Sequence, residues 1–291
     1  MSGSKTTGRA PGQLPLGSGS ASLFDAPLSG EAIERALGMA DSVRVQVVEQ
    51  TGSTNDDLLE LARLAAPDQP TVRAALHQFS GRGRHGRRWH DARGRALLFS
   101  VMTSWMRDPA AASAVTLACG ISVAEALRVQ GIEARLKWPN DLLLSDRKLG
   151  GILTELAFDA LGRASLVVGV GLNLCLDPET RVAIDQPAAA LDERIVETRL
   201  ASERENWIGL LARAVLQAIG RFEAEGFAPF RARFEGLFAY AGRPVVVLQA
   251  GLPTLAGVPI GVDGEGRLLL STESGIEAVA SGELSLRPAV A

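Results

Sequence analysis

Four arginines, Arg82, Arg84, Arg87 and Arg88, are interleaved with Gly81, Gly83 and Gly86 in the nine-residue run GRGRHGRRW that ends at Trp89. Guanidinium groups present planar, bidentate donors matched to carboxylate and phosphate. Glycine backbones take positive φ and bring N–H groups close to a ligand. The whole chain has a formal net charge of −3, so this is a local cationic loop suited to an anion. The same composition also occurs in solvated loops and nucleic-acid tethers. Here an apolar run at 74–76 precedes the loop and a strand-like run at 97–102 follows it, which places it inside a folded domain.

A second constellation is Lys137-Trp138-Pro139-Asn140-Asp141, followed by Lys148-Leu149-Gly150-Gly151. Pro139 biases Trp138 towards extended backbone and ends a strand, leaving Asn140 and Asp141 at a corner. A hairpin around residues 145–148 then returns Lys148 to that corner, where Gly150 and Gly151 would let a ligand lie against the backbone. Taken singly, Asn140 and Asp141 are turn formers and Lys148 is a solvated lysine; together on one hairpin they suggest a site. The third run, Gly169-Val-Gly-Leu-Asn173-Leu, has a plain structural reading, glycines in a tightly packed strand.

The elements that must position these groups follow from periodicity. One short amphipathic helix is expected at 29–39, too short for a helix-turn-helix. Val43, Val45 and Val47 alternate as a strand leading to Ser53 or Thr54, either of which could cap a helix with Asp56 and Asp57 in its first turn, ended by Pro67. Further strands are expected at 74–76, 97–102, 134–137, 142–144, 152–156 and 166–174, and helices at 110–127, 202–225 and 230–237. The hairpin implies antiparallel pairing, so the expected class is α+β with a mixed β-sheet flanked by helices. From residue 241 the texture changes to short strands at 244–248, 256–262, 268–270 and 276–280, with a turn at 263–266, reading as a small β-barrel. The expected domains are a flexible leader at 1–22, a catalytic domain at 23–240 and the barrel at 241–291.

With 291 residues, 46% hydrophobic and 22% charged, the chain can bury one sizeable core and a small satellite. Its slight negative charge argues against bulk nucleic-acid or membrane-surface binding. Cys119 and Cys175 stand far apart in apolar contexts and read as buried free thiols of a reducing cytoplasm. His77, His85 and His90 lack partners at metal-ligand spacing, and no metal-ligating set is expected. Residues 110–127 carry Ser113, Thr116, Gly120, Ser122 and Glu125 and read as a core helix. The first twenty residues lack the apolar region of a signal peptide.

The loop GRGRHGRRW, the run KWPNDLLL, the hairpin KLGGIL and the strand GVGLNL occur in this order and at this kind of spacing in biotin protein ligases. The chain resembles that family from about residue 43 to its end, including GRPV at 242–245 and SGELSLRP at 281–288. The resemblance implies the class II synthetase-like biotin/lipoate ligase core with a C-terminal SH3-like β-barrel. It implies biotin activation by ATP and Mg²⁺ to biotinyl-5'-AMP and pyrophosphate, then transfer to a lysine of a biotin carboxyl carrier domain of biotin-dependent carboxylases. Carried over residue by residue, Ser53, Thr54, Asn55, Gln78, Gly81, Arg82, Gly83, Arg84, Lys148, Gly150 and Gly151 are expected around biotin. Arg84, Arg87, Trp89, Asn140, Asn173 and Arg287 are expected around the nucleotide, with Trp89 stacked on adenine. Lys148 is the first choice for catalysis, with Arg82 beside it and Asp141 orienting the lysine or helping with metal.

The loop is expected to be a lid, disordered without ligand, that shields the mixed anhydride from water. His85 is expected to be a spacer, and the segment 177–199 has no match to family site residues. A ligase that does not double as a repressor is expected, cytoplasmic, a monomer or weak homodimer, with no DNA or membrane partner. Two other readings stay open: a lipoate or octanoate ligase, which would carry a different arginine-glycine loop and a histidine motif, and a biotin-sensing regulator, which would need an N-terminal helix-turn-helix.

Overall fold

The computed structural model describes residues 23–39, 41–184, 186–249, 252–280 and 284–288; the leader expected at 1–22 lies outside them. The main elements run α1 (Gly30–Leu37), β1 (Arg44–Thr51), α2 (Thr54–Leu64), β2 (Thr71–Gln78), β3 (Ala96–Trp105), α3 (Ala112–Val129), β4 (Arg135–Lys137), β5 (Asp141–Leu144), β6 (Arg147–Phe158), β7 (Ala164–Asn173), α4 (Pro178–Ala183), α5 (Glu197–Ser202), α6 (Arg204–Glu225) and α7 (Ala228–Leu237). The small C-terminal part follows with β8 (Val245–Gln249), β9 (Leu252–Val262), β10 (Leu268–Thr272), β11 (Gly275–Val279) and β12 (Leu284–Pro288).

Strands β1 to β7 form one sheet in the order β1-β2-β3-β7-β6-β5-β4. β1 and β2 are parallel and every other neighbouring pair is antiparallel, so the sheet is mixed as expected. α1, α3 and α6 pack together on one face and α2 lies on the other. The period of two along β7 assigns its side chains to these layers. Leu166, Val168, Val170 and Leu172 enter the large core with α3 and α6, while Val167 packs with Leu58, Leu59 and Ala62 under α2. Ser165 is buried on that same face before Val167, and the positions after Val167 are Gly169, Gly171 and Asn173, so the sheet is bare where α2 ends its cover.

α3 is long and apolar enough to cross a membrane by composition. Its Val115, Ala118, Cys119, Ile121 and Ala124 are fully buried in the large core, so it is the internal helix that its interspersed polar residues suggested. Cys119 and Cys175 are free thiols; burial pushes the Cys119 thiol far up and raises that of Cys175 to about 12.

Several expected boundaries move. α2 ends at Leu64, three residues before Pro67, and Ser53 occupies the N-cap position without a side-chain capping bond. β6 spans twelve residues where five were expected, because backbone pairing with β5 and β7 continues past its apolar stretch. The C-terminal part is a five-stranded antiparallel sheet, β11-β10-β9-β8-β12. Its fifth strand, β12, was not expected from the sequence; antiparallel pairing with β8 makes it one.

Candidate active site

The cleft opens on the α2 face of the sheet, with a volume of about 820 Å³. Its floor begins where β1 hands over to α2. The N–H of Thr54 donates to Gln78 Oε1 at 2.7 Å, and the Thr54 hydroxyl lies 2.7 Å from that of Ser100, which donates to Asn55 Oδ1 at 2.6 Å. Asn55 Nδ2 donates to Glu155 at 2.8 Å and to the Leu153 carbonyl at 3.3 Å. Ser53, Thr54 and Asn55 are each 3% exposed. This chain of bonds fixes Gln78 and Asn55 in place, and the uncapping Ser53 hydroxyl is left to the cleft.

Gly169 and Gly171 complete the floor. A Cβ on Gly169 would meet Asn55 Oδ1 at 2.3 Å, and one on Gly171 would meet the Trp89 indole at 2.9 Å. Both glycines are therefore site residues, since only a bare strand admits the polar asparagine and the indole against it. Gly81 has the same use, lying where a Cβ would touch Gln78 Nε2 and Trp89 at 3.1 Å. Gly150 does not do what its place in the sequence suggested: a Cβ there would strike the Gly171 carbonyl at 2.5 Å, so it serves strand packing, and Gly151 alone of the pair lines the cleft.

The ionic centre is Lys137, Asp141 and Lys148. Lys137 and Asp141 are opposed on β4 and β5, which puts both on one face. Lys148 would fall on the opposite face from Gly151 by simple alternation. The register of β5 and β6 shifts between Leu142 and Leu143, so that Leu142 opposes Gly150 and Leu143 opposes Lys148. This bulge turns the lysine to the side of Asp141. Lys148 Nζ is 2.8 Å from Asp141 Oδ1, and Lys137 Nζ is 3.6 Å from Oδ2. Burial alone would raise the Asp141 carboxyl; Lys148 and Lys137 instead hold it below the ordinary carboxylate range. With both oxygens facing ammonium groups, Asp141 is suited to orienting lysine and poorly placed to ligate a metal ion.

Over this centre lies the glycine-arginine loop, closed as a small hairpin. Trp89 N–H donates to the Gly81 carbonyl at 2.8 Å, Gly83 N–H to Arg87 at 2.7 Å, and His85 turns the chain at φ 58°. Arg84, Arg87 and Arg88 line the cleft with His85, and burial lowers the Arg84 guanidinium pKa. Arg82, expected around biotin and beside Lys148, also lines the cleft and has protein partners besides. It pairs with Asp56 of α2 and, at 3.1 Å, with Glu155 of β6, so it ties the lid to the frame; burial opposes its charge, and the two carboxylates raise its pKa despite that.

The unassigned segment 177–199 closes the far wall. Lys148 N–H donates to the Pro187 carbonyl at 2.9 Å, and the Lys148 carbonyl accepts from Ala189 N–H at 2.8 Å. Ala183, Ile184, Gln186 and Ala188 line the cleft. Asn173 Nδ2 donates to the Ala189 carbonyl at 3.0 Å, and Asn140 Nδ2 to that of Ile152 at 3.0 Å, so each expected nucleotide residue also braces a wall. Arg287 lies on β12 opposite Val246; its side chain is outside the described residues. Sequence reasoning missed Lys137, Asp56, Glu155, Ser100, Gly169 and Gly171 as site groups. Lys137 had a signal, four residues from Asp141 across a proline corner, and Gly169 and Gly171 stand in the GVGLNL run, where packing was the plain reading.

Fold and cleft together define an α+β enzyme core whose cleft sets a polar floor against lysine and arginine cations. The profile of the biotin/lipoate A/B protein ligase family matches residues 47–173, and that of the biotin protein ligase C-terminal domain matches 240–287. The chain is 35% identical over 257 residues to the bifunctional ligase/repressor BirA of Escherichia coli, covering 88% of this chain and 78% of that protein. It is 34% identical over 251 residues to the biotin--[acetyl-CoA-carboxylase] ligase of Mycobacterium tuberculosis, covering 83% and 88%. Among solved structures, the Aquifex aeolicus biotin protein ligase in complex with biotin and ATP superposes with a TM-score of 0.67 at 29% identity, covering 84% of this chain and 99% of that one. The chain belongs to the biotin protein ligase family.

Proposed function

We propose that the cleft activates biotin with ATP and passes it to a lysine of a biotin carboxyl carrier domain. The observation that carries this reading is the Lys137–Asp141–Lys148 group facing an arginine lid across a neutral polar floor. In the first step a biotin carboxylate oxygen attacks the α-phosphorus of ATP, the bond to the β-phosphate breaks and pyrophosphate leaves. Two anions must meet, and unit charges 4 Å apart repel by about 1 kcal/mol in water but about 4 at an effective dielectric of 20. Lys148 beneath and Arg84 and Arg87 above supply fixed positive charge where negative charge develops.

Ser53, Thr54, Asn55 and Gln78 offer hydrogen-bonding groups to the ureido ring of biotin, with Gly81, Gly83 and Gly151 giving backbone access. Trp89, lying flat against Gly171, offers an indole face to adenine, and Asn140, Asn173 and Arg287 complete the nucleotide end. Magnesium enters with ATP: it favours phosphate oxygens and water, and the cleft carboxylate, Asp141, is already engaged by two lysines. In the second step the carrier lysine amine forms an amide to the biotin carbonyl and loses a proton, the acyl–phosphate bond breaks and AMP leaves. We assign residues 23–240 to this chemistry and 241–291 to the C-terminal domain, in a cytoplasmic enzyme that uses the cell's ATP.

The test is pyrophosphate exchange into ATP, assayed with biotin and separately with lipoate and octanoate. Exchange that requires biotin is expected. Exchange that ignored biotin, or that ran with lipoate or octanoate and not with biotin, would overturn the reading.

A further inference from the structure

Trp138 sits within the run that carries Lys137, Asn140 and Asp141, but its polar atom points out of the large domain. The indole N–H donates to the Gly266 carbonyl at 3.0 Å, 128 residues further along the chain, and the side chain is 1% exposed. Gly266 lies in the turn between β9 and β10 of the small sheet. That turn is built to hold its backbone still. Asp263 Oδ1 accepts from the N–H groups of Glu265 and Arg267, both at 2.9 Å, and Oδ2 accepts from Arg267 Nε at 2.6 Å. Gly266 has φ +73°, and a Cβ there would come within 3.4 Å of Ala114 on α3, so the turn rests directly on the large domain. Beside it, the interdomain chain is stitched to β4: Ala239 N–H donates to the Leu136 carbonyl at 2.8 Å.

From this geometry we infer that the small domain positions the ionic centre through the Trp138–Gly266 bond, with Trp138 and Asp263 as positioning residues for the adenylation step. The inference rests on reading the cleft as the ligase site. Lys137 precedes Trp138 and Asp141 follows it by three residues, so a shift of the backbone at Trp138 is passed to the short segment that carries both ends of the lysine–carboxylate pair. A buried carbonyl deprived of its donor seeks another partner, and the indole is then held by shape alone. Displacing a reacting group by about 1 Å can cost about 100-fold in rate.

Full-length protein carrying Trp138→Phe, Asp263→Ala or Asp263→Asn tests this. Trp138→Phe and Asp263→Ala are expected to lower kcat for biotin-dependent pyrophosphate exchange at least about tenfold, with KM for biotin unchanged within about twofold. Asp263→Asn, which keeps an acceptor oxygen for the turn, should recover most of the loss. Amide hydrogen exchange across residues 135–141 should rise in Asp263→Ala and not in Asp263→Asn. An Asp263→Ala variant with parental kcat, or with parental exchange protection at 135–141, overturns the inference. Absence of biotin-dependent exchange in the parent protein would instead strike the ligase reading, and the hydrogen-exchange comparison would still decide whether the turn positions this strand.

Discussion

Lys148 Nζ lies 2.8 Å from Asp141 Oδ1, and the contact exists because the bulge between β5 and β6 brings the lysine to the carboxylate's side of the sheet. The lysine side chain is 23% exposed, oriented by the pair and open to ligand. Replacing it with alanine should lower biotin-dependent pyrophosphate exchange by about 100-fold or more. The melting temperature should move only slightly, since the side chain contributes little to the core. Normal turnover in Lys148→Ala would withdraw its catalytic assignment.

Asp141 gives a dependence on pH. A carboxylate held below its usual pKa in the folded state stabilises that state at every pH above its unfolded value near 3.9. The contribution disappears as pH falls through the lower folded value. Breaking this buried pair as Asp141→Asn should cost about 3 kcal/mol at neutral pH. Denaturant titrations should show that difference constant from about pH 8 to about pH 5 and shrinking below about pH 4. A gap that widened on acidification would mean the pair is not ionised.

The two bare positions on β7 should separate the two substrates. In Gly169→Ala the new methyl displaces Asn55, and KM for biotin is expected to rise. In Gly171→Ala it displaces Trp89, and KM for ATP is expected to rise. Steady-state exchange kinetics with each substrate varied in turn distinguish these outcomes; equal effects on both constants would argue for a general collapse of the sheet.

Arg82 holds the lid through Asp56 and Glu155. Asp56 is 46% exposed, so its share of the hold is screened and worth at most about 1 kcal/mol. Asp56→Asn should therefore speed loss of the adenylate by no more than about fivefold, measured as AMP release in the absence of carrier protein. A slower release would reverse the proposed role.

Limited proteolysis by an arginine-directed protease reads the lid directly. Cleavage within residues 82–88 should fall when biotin and ATP are both present, because the anion draws Arg84, Arg87 and Arg88 onto it. Unchanged cleavage would count against a ligand-closed lid.

Much of the frame was legible in the chain. Alternation in β1 and helical spacing in α6 reflect burial on one face, a local record of which side chains meet the core. Glycine and arginine in the lid, and the proline corner before Asp141, likewise announce backbone freedom and charge through residue type. What stayed hidden depends on contacts between distant segments. Asp56 and Glu155 look like surface acids until Arg82 is folded between them, and Gly169 looks like a packing glycine until Asn55 is laid across it.

The sequence by itself determined a mixed α+β chain with a cationic glycine loop, a lysine hairpin and a small β-rich end, because residue type and period act over a few neighbours. Tertiary structure alone decided that Lys148 faces Asp141, that Arg82 is a tether, and that Gly150 packs a strand while Gly169 and Gly171 open a floor. Those outcomes turn on a one-residue shift of strand register and on which atom stands above each missing Cβ. Neither is encoded within any single segment.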